Sequence, residues 1–373
     1  MCEPIQDHSA ASLQLLETLV NLDSGTGDAA GLAQAAAVLE GRFKALHFHW
    51  ETIAAADGSL HYCAQKGRGK RILLLAHLDT VFTKGTVQSR PFQIDGELAR
   101  GPGVSDCKSG AVTIAGALEA VCQDVYSDYQ ICTLFNSDEE IGSPGSRPLI
   151  ENLAAEAVAV LVAEPAEGAN ITVSRKGIGR FKLQVYGKAA HSGANYQEGC
   201  NAILEMAHKV IAIQDCTNLA EGMTLNVGVI EGGQRPNIVP DYAAAEIDLR
   251  ICRAEQEVKA IADLRRIAAA SRIPGVHGRL AGGITRPPMP ETMQNRRLFE
   301  SYQKTAAEMG IELGAYHSGG GSDANFTAAL GIPTIDGVGP EGGGHHAAAE
   351  YLRIPSLYQR IGLLAAFLNS KVL

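Results

Sequence analysis

The residues of this chain that could do chemistry stand where apolar runs stop. Leu73-Leu74-Leu75-Ala76 ends in His77, with Asp79 two positions on. Residues two apart in a strand share a face, so the two side chains can meet at the strand's end. A carboxylate beside an imidazole is also how a metal-binding histidine is held in one tautomer. Alone, the pair describes a surface histidine equally well. Four more segments change that. The turn Gly101-Pro102-Gly103-Val104-Ser105-Asp106 carries a carboxylate, and Ile131-Cys132-Thr133-Leu134-Phe135 runs into Asn136-Ser137-Asp138-Glu139-Glu140. The apolar run 158–163 stops at Glu164-Pro165, and Gly342-Gly343-Gly344 delivers His345-His346. An isolated acidic triplet reads as a solvated loop. Behind a buried strand, and with four companions of the same kind, it reads as a site, since ligands collect at the carboxyl ends of parallel strands. Converging carboxylates without partners push one another's pKa upward. A divalent cation removes that cost.

The donors are His, Asp and Glu, and no Cys-x-x-Cys pattern is present. Closed structural zinc sites favour thiolates, whereas mixed imidazole and carboxylate sites belong to hydrolytic zinc. Two imidazoles and three carboxylates exceed one tetrahedral ion and suit two ions sharing a carboxylate, about 3.5–4 Å apart, with a common water. Zinc is the expected metal; cobalt or manganese suits similar donors. Glu139 and Glu140 then divide the labour. One binds metal, and the other faces the water as a general base.

Taken together, these segments resemble the co-catalytic di-zinc metallopeptidases of the glutamate carboxypeptidase, acetylornithine deacetylase and aminoacylase family. The resemblance rests on His77-Leu78-Asp79-Thr80-Val81, Gly101 to Gly110, Asn136 to Ser143 and Glu164-Pro165. It continues through Gly187-Lys188-Ala189-Ala190-His191-Ser192-Gly193, Arg235-Pro236-Asn237-Ile238-Val239-Pro240 and Gly319-Gly320-Gly321-Ser322-Asp323, in family order. It implies that Asp106 bridges two ions, one completed by His77 and Glu164, the other by Glu140 and a C-terminal histidine. It further implies that Asp79 orients His77 and that Glu139 is the base. Glu350-Tyr351 selects His346 by the commoner family spacing, and a spacing of five would select His345. The family often has a cis peptide after the bridging aspartate. Here the following residue is Cys107 in place of the usual Asp, Asn or Met.

The resemblance also assigns roles farther along the chain. His191 would reach a neighbouring active site across a dimer and stabilise an oxyanion. Asn237 and Arg250 would hold the substrate's backbone and carboxylate, Arg suiting a planar bidentate partner. A turn-capping histidine and a surface arginine are the plainer alternatives. Glutamate carboxypeptidases, whose pattern is followed by Val81-Phe82-Thr83-Lys84-Gly85 and the span Asp95 to Gly110, carry a lysine near the segment matching Asn170-Ile171. None stands there, and Arg286 is a candidate substitute. Asp323, after three glycines, is expected to cap the next helix.

The elements that must position these groups form two unequal units. Helices are expected over 9–21 and 29–46, and strands alternate with helices from Ile72 to Ala163, as in a largely parallel sheet covered on both faces. From about Gly179 the order becomes strand, helix, strand, strand, helix, strand, and Phe181-Lys182-Leu183-Gln184-Val185 alternates as a sheet with one wet face does. The second helix of that unit is expected over 257–270. After Pro287 the α/β pattern resumes, with a last helix from about Ser356. The fold class is α/β: a zinc-peptidase-like α/β/α catalytic domain over 1–178 and 291–373, with an inserted ferredoxin-like α+β lid and dimerisation domain over 179–290.

Length and composition agree. The 373 residues suggest two domains, and 46% hydrophobic with 20% charged residues describes a globular protein. A net charge of −9 argues against nucleic acid as a partner. No apolar run approaches the ~18–20 residues of a membrane span. Met1-Cys2-Glu3-Pro4-Ile5-Gln6-Asp7-His8 lacks the pattern of a signal peptide. The eight cysteines are scattered, several within apolar elements as reduced thiols would be. A cytoplasmic location is expected.

The expected activity is hydrolysis of an amide bond next to a free carboxylate, releasing C-terminal glutamate or a similar amino acid and working as a homodimer. The alternative is an N-acyl amino acid deacylase of the acetylornithine or succinyl-diaminopimelate type. An inactive metal-binding regulator or a dimerisation scaffold would leave the filled base and ligand positions without a purpose.

Overall fold

The computed structural model of the protein describes residues 9–373. Met1 to His8, Cys2 among them, lie outside the described residues. The chain divides into two compact units: 1–174 with 291–318 and 322–373, and 175–290 with 319–321.

The first unit is built on an eight-stranded mixed sheet. In spatial order its strands are His49–Ala54, Leu60–Gly67, Tyr129–Asn136, Lys70–His77, Ala157–Val162, Thr334–Asp336, Ile171–Arg175 and Ala315–Ser318. The middle four are parallel neighbours, and the hairpin of His49–Ala54 and Leu60–Gly67 joins them antiparallel along Leu60–Gly67. That hairpin was not anticipated from the sequence. Within Lys70–His77, Ile72, Leu74 and Ala76 enter one core while Leu73 and Leu75 are equally buried on the other face. Period-2 burial on both faces requires cover on both sides. Lys108–Glu119 packs on Lys70–His77 and also meets Ser9–Val20 and Ile354–Ser370, while Arg147–Ala155 and Ala324–Ala329 pack on Ala157–Val162.

Register delivers the chemistry to one end of this sheet. His77 lies opposite Asn136 on the neighbouring parallel strand, and Leu75 lies opposite Val162. The N–H of Ala163 donates to Leu75 O at 2.7 Å. The segments Ser137 to Glu140 and Ala163-Glu164 therefore emerge on either side of His77. Gly110, in the first turn of Lys108–Glu119, permits the close approach of that helix, because a Cβ there would lie 2.0 Å from Ala163 O. A smaller sheet pairs Gly342–Gly343 with Tyr351–Arg353 and the latter with Leu98–Arg100. It brings the His345-His346 loop beside the Asp106 turn.

The second unit has the order strand, helix, strand, strand, helix, strand. Its antiparallel sheet runs Thr224–Gly232, Tyr242–Ile251, Gly177–Tyr186, His277–Arg286. This is a ferredoxin-like arrangement. Phe181, Leu183 and Val185 face a core shared with Met206 and Ile213 of Ala202–Gln214 and with Leu264 and Ile267 of Ala254–Ala269, whereas Arg180 and Lys182 are exposed. The second helix begins at Ala254, earlier than the apolar pattern suggested, because Gln256 bonds the N–H groups of Cys252 and Arg253 and closes the first turn. No helix among the described residues is long and apolar enough to cross a membrane.

Candidate metal centre

His77 ends its strand almost wholly buried. Its Nδ1 lies 2.9 Å from the backbone oxygen of Asp79 and 3.4 Å from that residue's carboxylate. A carbonyl oxygen only accepts, so Nδ1 carries a proton and Nε2 is turned inward, where its own proton would give way to a metal. Nε2 lies 3.0 Å from Asp106 Oδ1 and 3.8 Å from Glu164 Oε1. The other oxygen of Asp106 lies 3.3 Å from His346 Nε2, and that nitrogen lies 3.1 Å from Glu140 Oε2. Asp106 thus presents one oxygen to each histidine. Ligand atoms of His77, Asp106 and Glu140 all fall within 4.8 Å of one another, as do those of His77, Cys107 and Glu164.

The Asp106 turn is held from far along the chain. The peptide bond between Asp106 and Cys107 is cis. The buried carboxylate of Glu350 accepts the N–H groups of Gly103, Ser105 and Asp106 at 2.9, 2.9 and 3.0 Å. In the sequence Glu350 served only as a marker for the histidine before it; nothing local reveals this role. Lys108, also buried, donates to Leu22 O at 2.8 Å, and burial pushes its pKa down to about 8 against the pull of Glu350 and Asp23. Cys107 is a buried thiol that donates to Ala163 O at 3.1 Å.

The adjacent histidines separate clearly. His346 adopts φ +62°, after Gly344 at φ +68°, and reaches the carboxylates. A Cβ on Gly344 would lie 2.8 Å from Ala349 O, so only glycine fits there. His345 turns instead to Ser105, with Nε2 3.1 Å from its hydroxyl.

Glu139 and Glu140 form a short 3₁₀ turn, and their N–H groups both point at Asp79. The same carboxylate accepts the Thr26 hydroxyl at 2.7 Å, a contact absent from the sequence reading. Asp138 is used differently: it accepts from Gly145 N, Ser146 N and Ser146 Oγ. Asp323 departs from its expected part as a helix cap. It makes no cap bond; its carboxylate accepts from Asn136 Nδ2 at 2.7 Å and Ser143 Oγ at 2.5 Å. A buried carboxylate finds stronger use bracing the end of the Tyr129–Asn136 strand than at the start of a short helix.

The electrostatics of the bare cluster are unfavourable. Burial pushes Glu140 up to about 8, aided by Asp106 and Glu139 and opposed by His77 and His346. Burial drives Glu164 well above the carboxylate range in the same way. His346 rises to about 9, its hydrogen bond to Asp106 outweighing desolvation. Asp106 is held below its usual range by hydrogen bonds from His346 and His77, despite burial. Nitrogen and carboxylate donors at this density fit a pair of divalent cations, which would stabilise all the charged carboxylates together.

The remaining candidates belong to the second unit. His191 pairs with Ile238 across a short ladder, and Ser192 N donates to Asn237 O at 3.1 Å. His191 is exposed, and its Nδ1 accepts the N–H groups of Gly193 and Ala194 at 3.1 and 3.0 Å. A neutral His191 therefore carries its proton on Nε2. Arg250 and Arg286 both stand opposite Ile178, from the two strands flanking it. Arg250 is braced by Asp248 at 2.8 Å and donates to Gly319 O at 3.3 Å, while Arg286 is buried.

Comparison with known proteins agrees with this geometry. Residues 73–370 match Peptidase family M20/M25/M40. Carboxypeptidase G2 of Pseudomonas sp. (strain RS-16) is 33% identical over 371 residues, spanning 96% of this chain and 89% of the relative. The chain belongs to this family. Among solved M20-like structures, a tripeptidase of Staphylococcus aureus superposes with TM-score 0.83 at 20% identity, covering 97% of this chain and 98% of its own. A dinuclear metal-binding M20 peptidase of Bacillus subtilis gives 0.70 at 16% identity, covering 97% and 98%. These two share the fold. As an M20 peptidase the protein is a metal-dependent hydrolase of amide bonds.

Proposed function

We propose that the protein is a di-zinc carboxypeptidase that cleaves the amide bond before a C-terminal glutamate or a similar amino acid. The observation that carries this is the Asp106 carboxylate, with Oδ1 3.0 Å from His77 and Oδ2 3.3 Å from His346. In this arrangement His77 and Glu164 would hold one ion and Glu140 and His346 the other, with Asp106 shared between them. Cobalt or manganese suits the same donors. When bound, the ions supply Lewis-acid polarisation of the scissile carbonyl and an acidified water.

The side chains do the rest. Asp79 fixes the His77 tautomer and, through two backbone N–H groups, the position of Glu139. Glu139 takes a proton from the attacking water and returns it to the departing amine. His191 would donate its Nε2–H to the developing oxyanion in the neighbouring subunit's site, across the dimer. Arg250, with Arg286 and Asn237, receives the substrate's carboxylate and backbone. The second unit, 179–290 in the sequence division, acts as lid and dimerisation surface of a cytoplasmic homodimer.

Similarity to Carboxypeptidase G2 supports this reading. The lack of a lysine at Asn170-Ile171 favours keeping the deacylase alternative beside it. The test is a substrate panel on protein stripped of metal and reloaded with zinc. Faster turnover of N-acyl glutamates and of peptides ending in glutamate than of acetylornithine and succinyl-diaminopimelate is expected. The reverse ranking makes the protein a deacylase.

A further inference from the structure

The loop between helices Ser9–Val20 and Ala29–Ala45 runs alongside the segment that leaves His77. Gly25 pairs with Thr80 as a parallel bridge. Thr80 N donates to Ser24 O and Thr26 N to Thr80 O, both at 3.0 Å. The buried Ser24 hydroxyl adds a bond to Leu78 O at 2.7 Å. A Cβ on Gly25 would lie 2.2 Å from Phe82 O, so the two segments touch with no room for a side chain. Residues 24–26 thus splint residues 78–80 from outside the metal centre.

The splint ends on the Asp79 carboxylate, which is wholly buried. Its Oδ1 lies 3.1 Å from Glu139 N and 3.4 Å from His77 Nδ1. Its Oδ2 lies 3.2 Å from Glu140 N and 2.7 Å from the Thr26 hydroxyl. The hydroxyl makes the shortest of these contacts, and it alone comes from outside the metal-binding segments. Hydrogen bonds to an ionised acceptor are about twice as strong as neutral ones. The last torsion of an aspartate is soft and two-fold, so backbone N–H groups alone hold its rotation loosely. A further bond from a splinted hydroxyl fixes that rotation, and the rotation fixes both N–H groups. We propose that Thr26 is a positioning residue: its hydroxyl sets the Asp79 carboxylate, and through it the turn that carries Glu139. A residue 53 positions before Asp79 then governs where the base stands. The inference rests on Glu139 as the base of amide hydrolysis.

Thr26→Val removes the hydroxyl and keeps the branched shape, while Thr26→Ser keeps the hydroxyl. Both are compared with the parent as zinc-loaded, full-length protein. Hydrogen exchange read by mass spectrometry should show the backbone of 137–142 exchanging about three- to tenfold faster in Thr26→Val. Thr26→Ser should exchange at the parent's rate. On the amide substrate turned over fastest, Thr26→Val should lower kcat by about tenfold, with KM and zinc content near the parent's, and Thr26→Ser should restore it. Thr26→Val combined with Asp79→Asn should be no slower than Asp79→Asn alone, because the hydroxyl acts through that carboxylate. Parent-like exchange in Thr26→Val overturns the proposal. So does a loss of kcat that Thr26→Ser shares, or one that adds in full to the loss from Asp79→Asn. Exchange needs no turnover, so it decides the role of Thr26 separately from any failure of amide hydrolysis.

Discussion

The carboxylate of Asp79 accepts the backbone N–H of Glu139 on one oxygen at 3.1 Å and that of Glu140 on the other at 3.2 Å. A residue singled out for its neighbour His77 therefore also holds the turn of Glu139 and Glu140 that follows the next strand. Asp79→Asn sets an amide donor against a backbone donor and breaks that arrangement. A fall in kcat of about 10- to 100-fold is expected, with less change in KM and with metal content near the parent's at saturating zinc. Steady-state kinetics beside elemental analysis checks this.

Glu139→Gln keeps the shape of the side chain and removes its basicity. We expect kcat to drop by at least about 10²-fold with both metal equivalents retained. Loss of an equivalent would instead place Glu139 among the ligands.

The two adjacent histidines should behave oppositely. His346→Ala should leave one equivalent of zinc where the parent holds two, because its Nε2 is the imidazole near Glu140. His345→Ala should keep both, since that ring contacts only the Ser105 hydroxyl among these groups. Equilibrium dialysis with metal analysis reads the difference.

The metal-free protein should lose stability as pH rises. Glu140, at about 8 in the folded state, holds a proton that the unfolded chain releases near 4.3. His346, at about 9, holds one that the unfolded chain releases near 6.5. In both cases the folded state binds more protons, so unfolding is favoured progressively between about pH 4.5 and 9. Zinc uptake at pH 7 should release about one proton or more as those groups ionise. Denaturant melts across pH and calorimetry in two buffers of different ionisation enthalpy test both statements.

An opposite dependence belongs to the second unit. Glu205 and Lys209 form a buried pair at 3.2 Å, and Glu205 also accepts Arg272 N and Ile273 N at 2.8 Å. Those backbone bonds and Lys209 outweigh burial and hold the Glu205 carboxyl below its usual range. Its contribution is present above about pH 4.3 and lost as pH falls through the lower folded value. Glu205→Gln should cost about 3 kcal/mol at pH 7 and converge with the parent in acid, measured by urea unfolding from pH 3 to 7.

His77, Glu140 and Glu164 were expected because apolar runs end at their segments, and parallel register leaves those three segments side by side, whereas Asp106 comes from the glycine-containing turn 101–106. The succession strand, helix, strand, strand, helix, strand in the second unit was equally readable, its strands from strict alternation. Thr26, Lys108 and Glu350 were not. They act through hydroxyl, ammonium or carboxylate contacts to distant backbone or carboxylate groups, and such contacts leave no periodic trace. Asp323 was misread for the same reason: a local capping motif competed with partners far along the chain, and the distant partners won. The choice between His345 and His346 needed the left-handed turn at Gly344 and His346, which adjacent identical residues cannot signal.

Glu350 binds the turn at Gly103, Ser105 and Asp106 across some 245 positions of chain. His77, Asp106, Glu140 and Glu164 all precede both that clamp and His346 in the chain. The three N–H groups of that turn gain their acceptor only when two distant stretches of the first unit have met, so the cluster is a product of tertiary closure and not of local folding.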